Sequence, residues 1–218
     1  GLLRSRSMLF SPSGIVLEQW QSQWQNEAID YQEADLLTRI SELDYEHKVL
    51  IDITASEAFS KLYPAFVNLD CHLISANKYA GTANNDWYQN LRRNLAERNL
   101  LWRYNTSVGA GLPINFALAD LQNSGDSITH IEGVFSGRDM QRKLLILARE
   151  LGLTLELDEI GLTPLMPEQL AQGDWQSFLA NKQLLDDFIA EKAQLAAKEN
   201  KVLRYTGALT IADGKVTA

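Results

Sequence analysis

The stretch KVLIDITASEAFSKLYPAFVNLDCHLIS, residues 48–75, decides the fold class of this chain. Residues 48–53 are a short apolar run, which predicts a buried strand, and residues 71–75 predict a second strand. Residues 55–69 predict a helix between them. Its apolar side chains recur with helical spacing, at Phe59, Leu62, Phe66 and Leu69. A strand, a helix and a second strand in this order predict a parallel sheet with a crossover helix, as in α/β proteins.

Outward from this stretch toward the C-terminus, the alternation first continues and then changes. Residues 84–98 predict a helix, and residues 100–104 predict a third strand. The elements predicted beyond them are helices over residues 113–123, 138–151 and 183–198, a short helix capped by Asp174, and strands over residues 127–135, over residues 201–209 and around Asp213-Gly214. This change predicts two domains. Residues 1–108 form a nucleotide-binding α/β domain, which C-terminal residues are candidates to complete, and residues 109–218 form an α+β domain.

Toward the N-terminus, the sequence lacks the opening of a dinucleotide-binding domain. Such a domain starts with a strand, a G-x-G-x-x-G turn and a helix, and this sequence contains no such turn. Residues 1–3 are therefore interpreted as its second strand, and Arg4, Ser5 and Arg6 follow directly. An acid at that point binds the ribose 2′-hydroxyl, whereas an arginine accommodates a 2′-phosphate. If the chain binds a dinucleotide, this pattern favours NADP over NAD.

Composition limits the class of protein. Of the 218 residues, 45% are hydrophobic and 22% are charged, which is typical of a globular protein, and no apolar run is long enough to span a bilayer. The net charge of −8 argues against wholesale binding to nucleic acid or anionic membranes. The single cysteine, Cys71, and the lack of a signal peptide in residues 1–10 lead us to expect a soluble cytoplasmic protein. The scattered histidines argue against a zinc site.

Three groups of residues could carry chemistry, and each also has a simpler interpretation. Residues 109–111 (GAG) lack the third glycine of a dinucleotide fingerprint and are consistent with a tight strand-to-helix turn. Asn77 and Lys78 follow a buried strand, where α/β sheets bind ligands, but a lysine there is also typical of a solvated loop. Asp139 and Lys143 have the four-residue spacing of a surface ion pair. The residues alone leave these alternatives open.

Six blocks of sequence occur in an order that is more specific than any one block. They are DITAS at residues 52–56, ISANKYAG at 74–81, YNTSVGAGLP at 104–113, IEGVFSG at 131–137, RKLLILARE at 142–150 and KVLRY at 201–205. Together they resemble homoserine dehydrogenase over nearly the whole chain. The motifs ISANK and GAGLPIN are most similar to those in the dehydrogenase half of the bifunctional aspartokinase/homoserine dehydrogenases of the methionine branch.

The resemblance implies a fold, a reaction and an assembly. The fold would be a Rossmann-like NAD(P)-binding domain without its first βα unit, followed by an α+β substrate-binding and dimerisation domain. The reaction would be the reversible interconversion of L-aspartate 4-semialdehyde and L-homoserine with NADPH or NADH, in threonine and methionine biosynthesis. The protein would be a homodimer or a higher homo-oligomer that associates through residues 127–135. A small molecule would be its partner, with no nucleic acid and no membrane.

The resemblance also implies roles for single residues. Lys78 would lie at the junction of the nicotinamide and the substrate, and Thr54 and Ser56 would contact the cofactor. Lys143 would exchange a proton with the substrate oxygen, and Asp139 would be an acid of the substrate site. A lysine can supply both a proton and positive charge to the alkoxide that forms when hydride reaches an aldehyde.

A monovalent-cation site, usually sodium in this family, is implied as well. Its backbone carbonyls would be those of Val108, Ala110 and Leu112. Asn105 stands where some members of the family carry an acid.

The sequence departs from the family in several places. It contains neither an aspartokinase domain nor the glycine fingerprint. The family also has further residues between positions 137 and 138, among them a glutamate and an aspartate that hold the amino group of homoserine. These departures motivate a second hypothesis, in which the chain is a catalytically incomplete dimerisation or regulatory module derived from this fold.

Overall fold

The structure is a computed structural model, and it describes residues 1–134, 137–163, 166–171, 174–212 and 215–218. The backbone divides into two compact units. Unit 1 comprises Gly1–Asp52, Glu57–Ile74 and Asn90–Arg103, and unit 2 comprises Ile53–Ser56, Ser75–Gln89 and Tyr104–Ala218. The predicted domain boundary at residue 108 stays a prediction. Before that residue, the chain already passes several times from one unit to the other.

The elements of both units follow one another along the chain. The strands are β1 (Leu2–Leu3), β2 (Ser7–Leu9), β3 (Ile29–Asp30), β4 (Lys48–Asp52), β5 (Cys71–Ser75), β6 (Trp102–Arg103), β7 (His130–Val134), β8 (Thr206–Ala212) and β9 (Lys215–Thr217). The helices are α1 (Trp20–Glu27), α2 (Glu33–Ser41), α3 (Glu57–Ser60), α4 (Tyr63–Asn68), α5 (Asn85–Glu97), α6 (Thr106–Gly109), α7 (Ile114–Asn123), α8 (Gly137–Glu150), α9 (Glu168–Ala171), α10 (Trp175–Asn181) and α11 (Gln183–Lys198). Among the residues that the structure describes, no helix has the length and apolar character needed to cross a membrane.

The sheet predicted from residues 48–75 is present. Strands β4, β5 and β6 lie side by side in this order, and β5 runs parallel to β6, with Leu73 opposite Trp102. Two apolar side chains of β4, Val49 and Ile51, are exposed. This exposure is unusual, because strands of parallel sheets are normally covered on both faces.

The helix predicted over residues 55–69 is wrong in one respect, since two short helices replace it. Helix α3 ends at Ser60, and α4 begins at Tyr63. Pro64 explains the break: it has no N–H to donate to the carbonyl of Ser60, and its ring clashes with that carbonyl. Within the first turn of α4 the missing N–H costs nothing, because no helical acceptor precedes it.

The interpretation of residues 1–3 as a strand of the parallel sheet is wrong. Strand β1 pairs with β2 in an antiparallel sheet that β3 completes, with Leu2 opposite Leu9. The physical reason is the turn that follows. The N–H of Arg4 donates to the carbonyl of Ser7 at 2.9 Å, and so tight a reversal brings the next strand back antiparallel.

Unit 2 is built around an antiparallel sheet of β7, β8 and β9 packed on α8. Its core is apolar and consists of Met140, Leu144, Leu145, Ala148, Ile160 and Leu209. At Gly207 of β8 the side chain of Met140 leaves no room for a Cβ atom, so glycine allows the close approach of helix and strand. The predicted turn at Asp213-Gly214 and the end of the predicted strand at Phe135 lie outside the described residues.

The C-terminal helices agree with the sequence prediction. Helix α11 has the predicted bounds, and α10 begins directly after Asp174. The carboxylate of Asp174 accepts a hydrogen bond from the N–H of Ser177 at 2.8 Å, which is the N-cap interaction expected of an aspartate at that position.

Candidate active site

The polar residues that follow β4 and β5 are held together by one buried side chain of unit 2, Asn77. Its Nδ2 donates to the carbonyl of Ser56 at 2.9 Å and lies 3.5 Å from the hydroxyl of Thr54. Its Oδ1 accepts the N–H of Tyr79 at 2.9 Å. Asn77 therefore fixes the segment that carries Thr54 and Ser56 against the segment that carries Lys78.

Lys78 reaches a carboxylate that it shares with Lys143. Its Nζ lies 3.3 Å from Oδ1 of Asp139, and the Nζ of Lys143 lies 3.1 Å from Oδ2 of the same residue. The side chains of Lys78, Asp139 and Lys143 are 27%, 51% and 14% exposed, respectively. Asp139 and Lys143, for which a surface ion pair was the simpler interpretation, thus belong to a cluster of three charged groups in which one lysine is largely buried.

The charges of this cluster favour an anionic group beside it. Burial would raise the pKa of Asp139, but the hydrogen bond and charge of Lys143 together with those of Lys78 outweigh it and lower that pKa. The carboxylate consequently stays ionised at neutral pH. With two ammonium groups and one carboxylate, the cluster carries a net charge of +1, which suits an oxyanion that develops during a reaction.

The predicted 2′-phosphate residues lie in unit 1 and differ in their surroundings. The guanidinium of Arg4 lies over the ring of Trp24, 4.9 Å from its centroid. Arg6 instead lines an open cavity of about 580 Å³ together with Ser5, Asp30, Tyr31, Gln32, Glu33 and Ala34. Of the two arginines, Arg6 is therefore the one that faces a space able to hold part of a ligand.

The residues implied as a cation site lie along α6 and the turn after it. Asn105 precedes α6, Val108 is within it, and Ala110 and Leu112 are in the turn between α6 and α7. Ala110 has a positive φ of 52°, and the carbonyl of Leu112 accepts the N–H of Ile114 at 2.9 Å. The turn joins two helices, so the strand-to-helix turn expected for residues 109–111 is wrong in its first element, because α6 intervenes. Among the described residues, the buried Oδ1 of Asn105 has no hydrogen-bond partner. Nowhere among the residues that the structure describes does a group of three His, Cys, Asp or Glu side chains occur that could hold a metal.

Comparison with known proteins identifies the relatives of this arrangement. Residues 5–105 match the family model "Homoserine dehydrogenase, NAD binding domain". The chain is therefore related to the homoserine dehydrogenases. The family predicted from six blocks of sequence is confirmed.

This relative of the homoserine dehydrogenases spans only part of the proteins it matches. Over 94% of the chain, it is 30% identical to bifunctional aspartokinase/homoserine dehydrogenase 2 of Escherichia coli, of which it covers 30%. Over 76% of the chain, it is 31% identical to homoserine dehydrogenase of Schizosaccharomyces pombe, of which it covers 56%.

Solved structures share the fold of this homoserine dehydrogenase relative. A Candida auris protein of unknown function has a TM-score of 0.84 at 23% identity, with 98% of this chain and 72% of that chain covered. A putative homoserine dehydrogenase from Archaeoglobus fulgidus has a TM-score of 0.61 at 15% identity, with 92% and 66% covered. The predicted combination of a Rossmann-like NAD(P)-binding domain with an α+β domain is confirmed.

Sequence reasoning missed a buried ion pair in this homoserine dehydrogenase relative. Arg149 is buried in unit 2, and Glu156 pairs with it. The sequence did contain a signal for a buried arginine, because Arg149 directly follows the apolar run LLILA of α8. An arginine buried beside such a run needs hydrogen-bond partners. No comparable signal marks Glu156, which pairs with Arg149 seven residues earlier and also accepts the N–H of the distant Asn85.

Proposed function

We propose that the chain is the dehydrogenase part of a homoserine dehydrogenase, which interconverts L-aspartate 4-semialdehyde and L-homoserine with NAD(P)H. One observation carries the proposal: Lys78 and Lys143 share the carboxylate of Asp139 in the segments that resemble the substrate site of the family. Its relatives in Escherichia coli and Schizosaccharomyces pombe carry that activity in their names.

The chemistry of the cluster suits a carbonyl reduction. A bound nicotinamide cofactor supplies the hydride in the direction of homoserine. The substrate oxygen then gains negative charge, which the two ammonium groups stabilise. Lys143 donates a proton to that oxygen and takes it back in the reverse direction, as a general acid and base. Asp139 holds both lysines in place, and the largely buried position of Lys143 limits competition from water.

Both units contain residues whose chemistry suits the binding of a nicotinamide dinucleotide. In unit 2, Asn77 holds Thr54 and Ser56 in one arrangement with Lys78, which supports a role for these three residues in binding the cofactor. In unit 1, Arg6 and Tyr31 line a cavity that offers a cation and an aromatic ring, and the carboxylates of Asp30 and Glu33 line it as well. Arg6 supports a preference for NADP, because a guanidinium binds phosphate through two parallel hydrogen bonds.

A sodium ion at the turn between α6 and α7 is part of the proposal. The buried, unpartnered Oδ1 of Asn105 supports it, since a buried oxygen without a donor suits a hard cation. The carbonyls of Val108, Ala110 and Leu112 would provide the other ligands. Such an ion would contribute structural order rather than a chemical step.

We further propose that the protein is cytoplasmic and assembles as a homodimer through β7, as the family resemblance implies. The native chain would also carry an aspartokinase domain, because several relatives are named bifunctional aspartokinase/homoserine dehydrogenases. Neither nucleic acid nor a membrane is among its partners in this proposal.

The function is tested by a direct assay of the purified protein with L-aspartate 4-semialdehyde and NADPH. The decrease in NADPH absorbance reports the reaction. We expect oxidation of NADPH that depends on the semialdehyde, and formation of homoserine in equal amount. A protein that is folded but shows no turnover with either NADPH or NADH would contradict the proposal and favour the non-catalytic module.

A further inference from the structure

Arg149 forms an anchor inside unit 2 at a distance from the cluster of Lys78, Asp139 and Lys143. Its side chain is 0% exposed. One terminal nitrogen, Nη1, donates to the carbonyls of Gly81 at 3.0 Å and Ala83 at 2.8 Å. The other, Nη2, donates to the carbonyl of Leu155 at 3.0 Å. The guanidinium thus binds two carbonyls of the segment that directly follows Lys78.

Glu156 completes this anchor with both of its carboxylate oxygens. Its Oε2 lies 3.3 Å from Nη2 of Arg149, and its Oε1 accepts the N–H of Asn85 at 2.8 Å. The ring of Tyr88 lies against the guanidinium, with 4.9 Å between the ring centroid and the guanidinium carbon of Arg149. Residues 81–85 are therefore tied down at three backbone positions by one ion pair.

The segment after β5 lies along one face of α8. The contacts pair successive residues of the two elements: Lys78 with Asp139, Tyr79 with Arg142, Gly81 with Ile146, and both Gly81 and Ala83 with Arg149. The positions on α8 are three or four apart, which is the spacing of one helix face. The opposite face of α8 contributes Leu144 to the core of unit 2.

From this arrangement we propose that Arg149 is a positioning residue for Lys78. By binding the carbonyls of Gly81 and Ala83, it holds the segment in the one register along α8 that places the Lys78 ammonium on the carboxylate of Asp139. Its effect on turnover rests on the proposed function, whereas its effect on the position of Lys78 does not.

Arginine is suited to this role for a physical reason. Its planar guanidinium presents several N–H donors in a fixed fork, so one side chain can hold two carbonyls and a carboxylate at the same time. A lysine at the same place keeps the charge opposite Glu156 but has a single nitrogen and no fork. Arg149→Lys therefore removes the anchor and leaves the charge in place, which makes it the variant of choice.

The position of Lys78 is measured by cross-linking the folded protein with a zero-length carbodiimide, which joins an amine to a carboxylate only when they are in contact. The Lys143–Asp139 product within α8 is the internal reference, because the helix itself keeps that pair together. In Arg149→Lys we expect a severalfold lower ratio of the Lys78–Asp139 product to the reference. The control is Leu144→Ala, which weakens the core on the other face of α8, and there the ratio stays unchanged.

Turnover gives a second readout that a purely structural role would not move in the same way. We expect Arg149→Lys to lower kcat by about 100-fold with little change in the KM for NADPH, the scale known for a small misplacement of a reacting group. In a Lys78→Met background the same change has little further effect on kcat, because the residue that it positions is already gone. Equal losses in both backgrounds would overturn the proposal.

A second variant keeps the test decisive if Arg149→Lys does not fold. A Cβ at Gly81 would lie 3.0 Å from Cγ1 and 3.2 Å from Cδ1 of Ile146, so Gly81→Ala pushes the same segment away from α8 without touching a charge. We expect the same fall in the cross-linking ratio, and its recovery when Ile146→Ala is added. If the wild-type protein shows no turnover, the proposed function fails, yet the cross-linking ratios still decide the role of Arg149. An unchanged ratio in both variants refutes it.

Discussion

The Nζ atom of Lys78 lies 3.3 Å from Oδ1 of Asp139, although the two residues belong to different elements of unit 2. Lys78 follows strand β5, and Asp139 is in the first turn of α8, where Lys143 binds its second oxygen. The contact joins a lysine from an α/β segment to the helix that packs on the antiparallel sheet. It is the contact on which the proposed chemistry depends, and it leads to the following predictions.

Lys143→Ala should lower kcat for L-aspartate 4-semialdehyde by about 100- to 10,000-fold, the range typical of a lost general acid. The dissociation constant of NADPH should change far less, because Lys143 acts on the substrate oxygen. Steady-state kinetics and a fluorescence titration with NADPH measure the two quantities. Lys61→Ala is the control, since Lys61 forms the same type of four-residue pair with Glu57 at 2.9 Å on the surface. Unchanged kcat in Lys143→Ala would remove the proposed proton donor.

The stability of the protein should depend on the ionisation of Asp139. Its pKa is lowered in the folded state, so its carboxylate stabilises the fold at pH values above its ordinary pKa, and that contribution is lost as the pH falls through the lowered value. The difference in unfolding free energy between the wild type and Asp139→Asn should therefore be largest near neutral pH and shrink below about pH 4. Urea unfolding at a series of pH values measures it. A difference that stays constant down to strong acid would contradict the prediction.

Arg6→Ala should raise the KM for NADPH by roughly tenfold and leave the KM for NADH nearly unchanged, because a charge-assisted hydrogen bond to a phosphate is lost. The reason is that Arg6 lines the cavity of unit 1. Arg4→Ala is the matched control, since the guanidinium of Arg4 is stacked on Trp24. Kinetics with both cofactors distinguish the two arginines. A larger effect of Arg4→Ala on the KM for NADPH would place the phosphate beside the other arginine.

Tyr104→Phe should lower the unfolding free energy by about 1–3 kcal/mol, because it removes a hydroxyl from a buried hydrogen-bond chain. The hydroxyl of Tyr104 donates to Glu150 and lies 3.0 Å from the hydroxyl of Tyr88. Chemical denaturation measures the change. In the control Tyr45→Phe, the lost hydrogen bond to the carbonyl of Pro12 is at an exposed side chain, so a much smaller loss is expected. Equal losses would show that burial of the network contributes nothing.

Local patterns predicted much of the fold because the interactions that form these elements are local. The bounds of β5 and α11 follow from runs of apolar residues and from helical spacing, and Asp174 caps α10 as its residue type predicts. The helix over residues 55–69 was mispredicted for a reason that is also local, the proline at position 64. The antiparallel pairing of residues 1–3 depends on a turn whose hydrogen bond the sequence pattern did not indicate.

The sequence alone predicted the alternation of strand and helix in residues 48–75, the family, and the residue types that could act on a carbonyl. It could not distinguish a surface pair of Asp139 and Lys143 from a functional one, because four-residue spacing is the same in both cases. Only the tertiary structure decided this, by bringing Lys78 to the same carboxylate and by burying Lys143. It also gave Arg149 its partners, since the carbonyls of Gly81 and Ala83 and the carboxylate of Glu156 come together only when the chain folds.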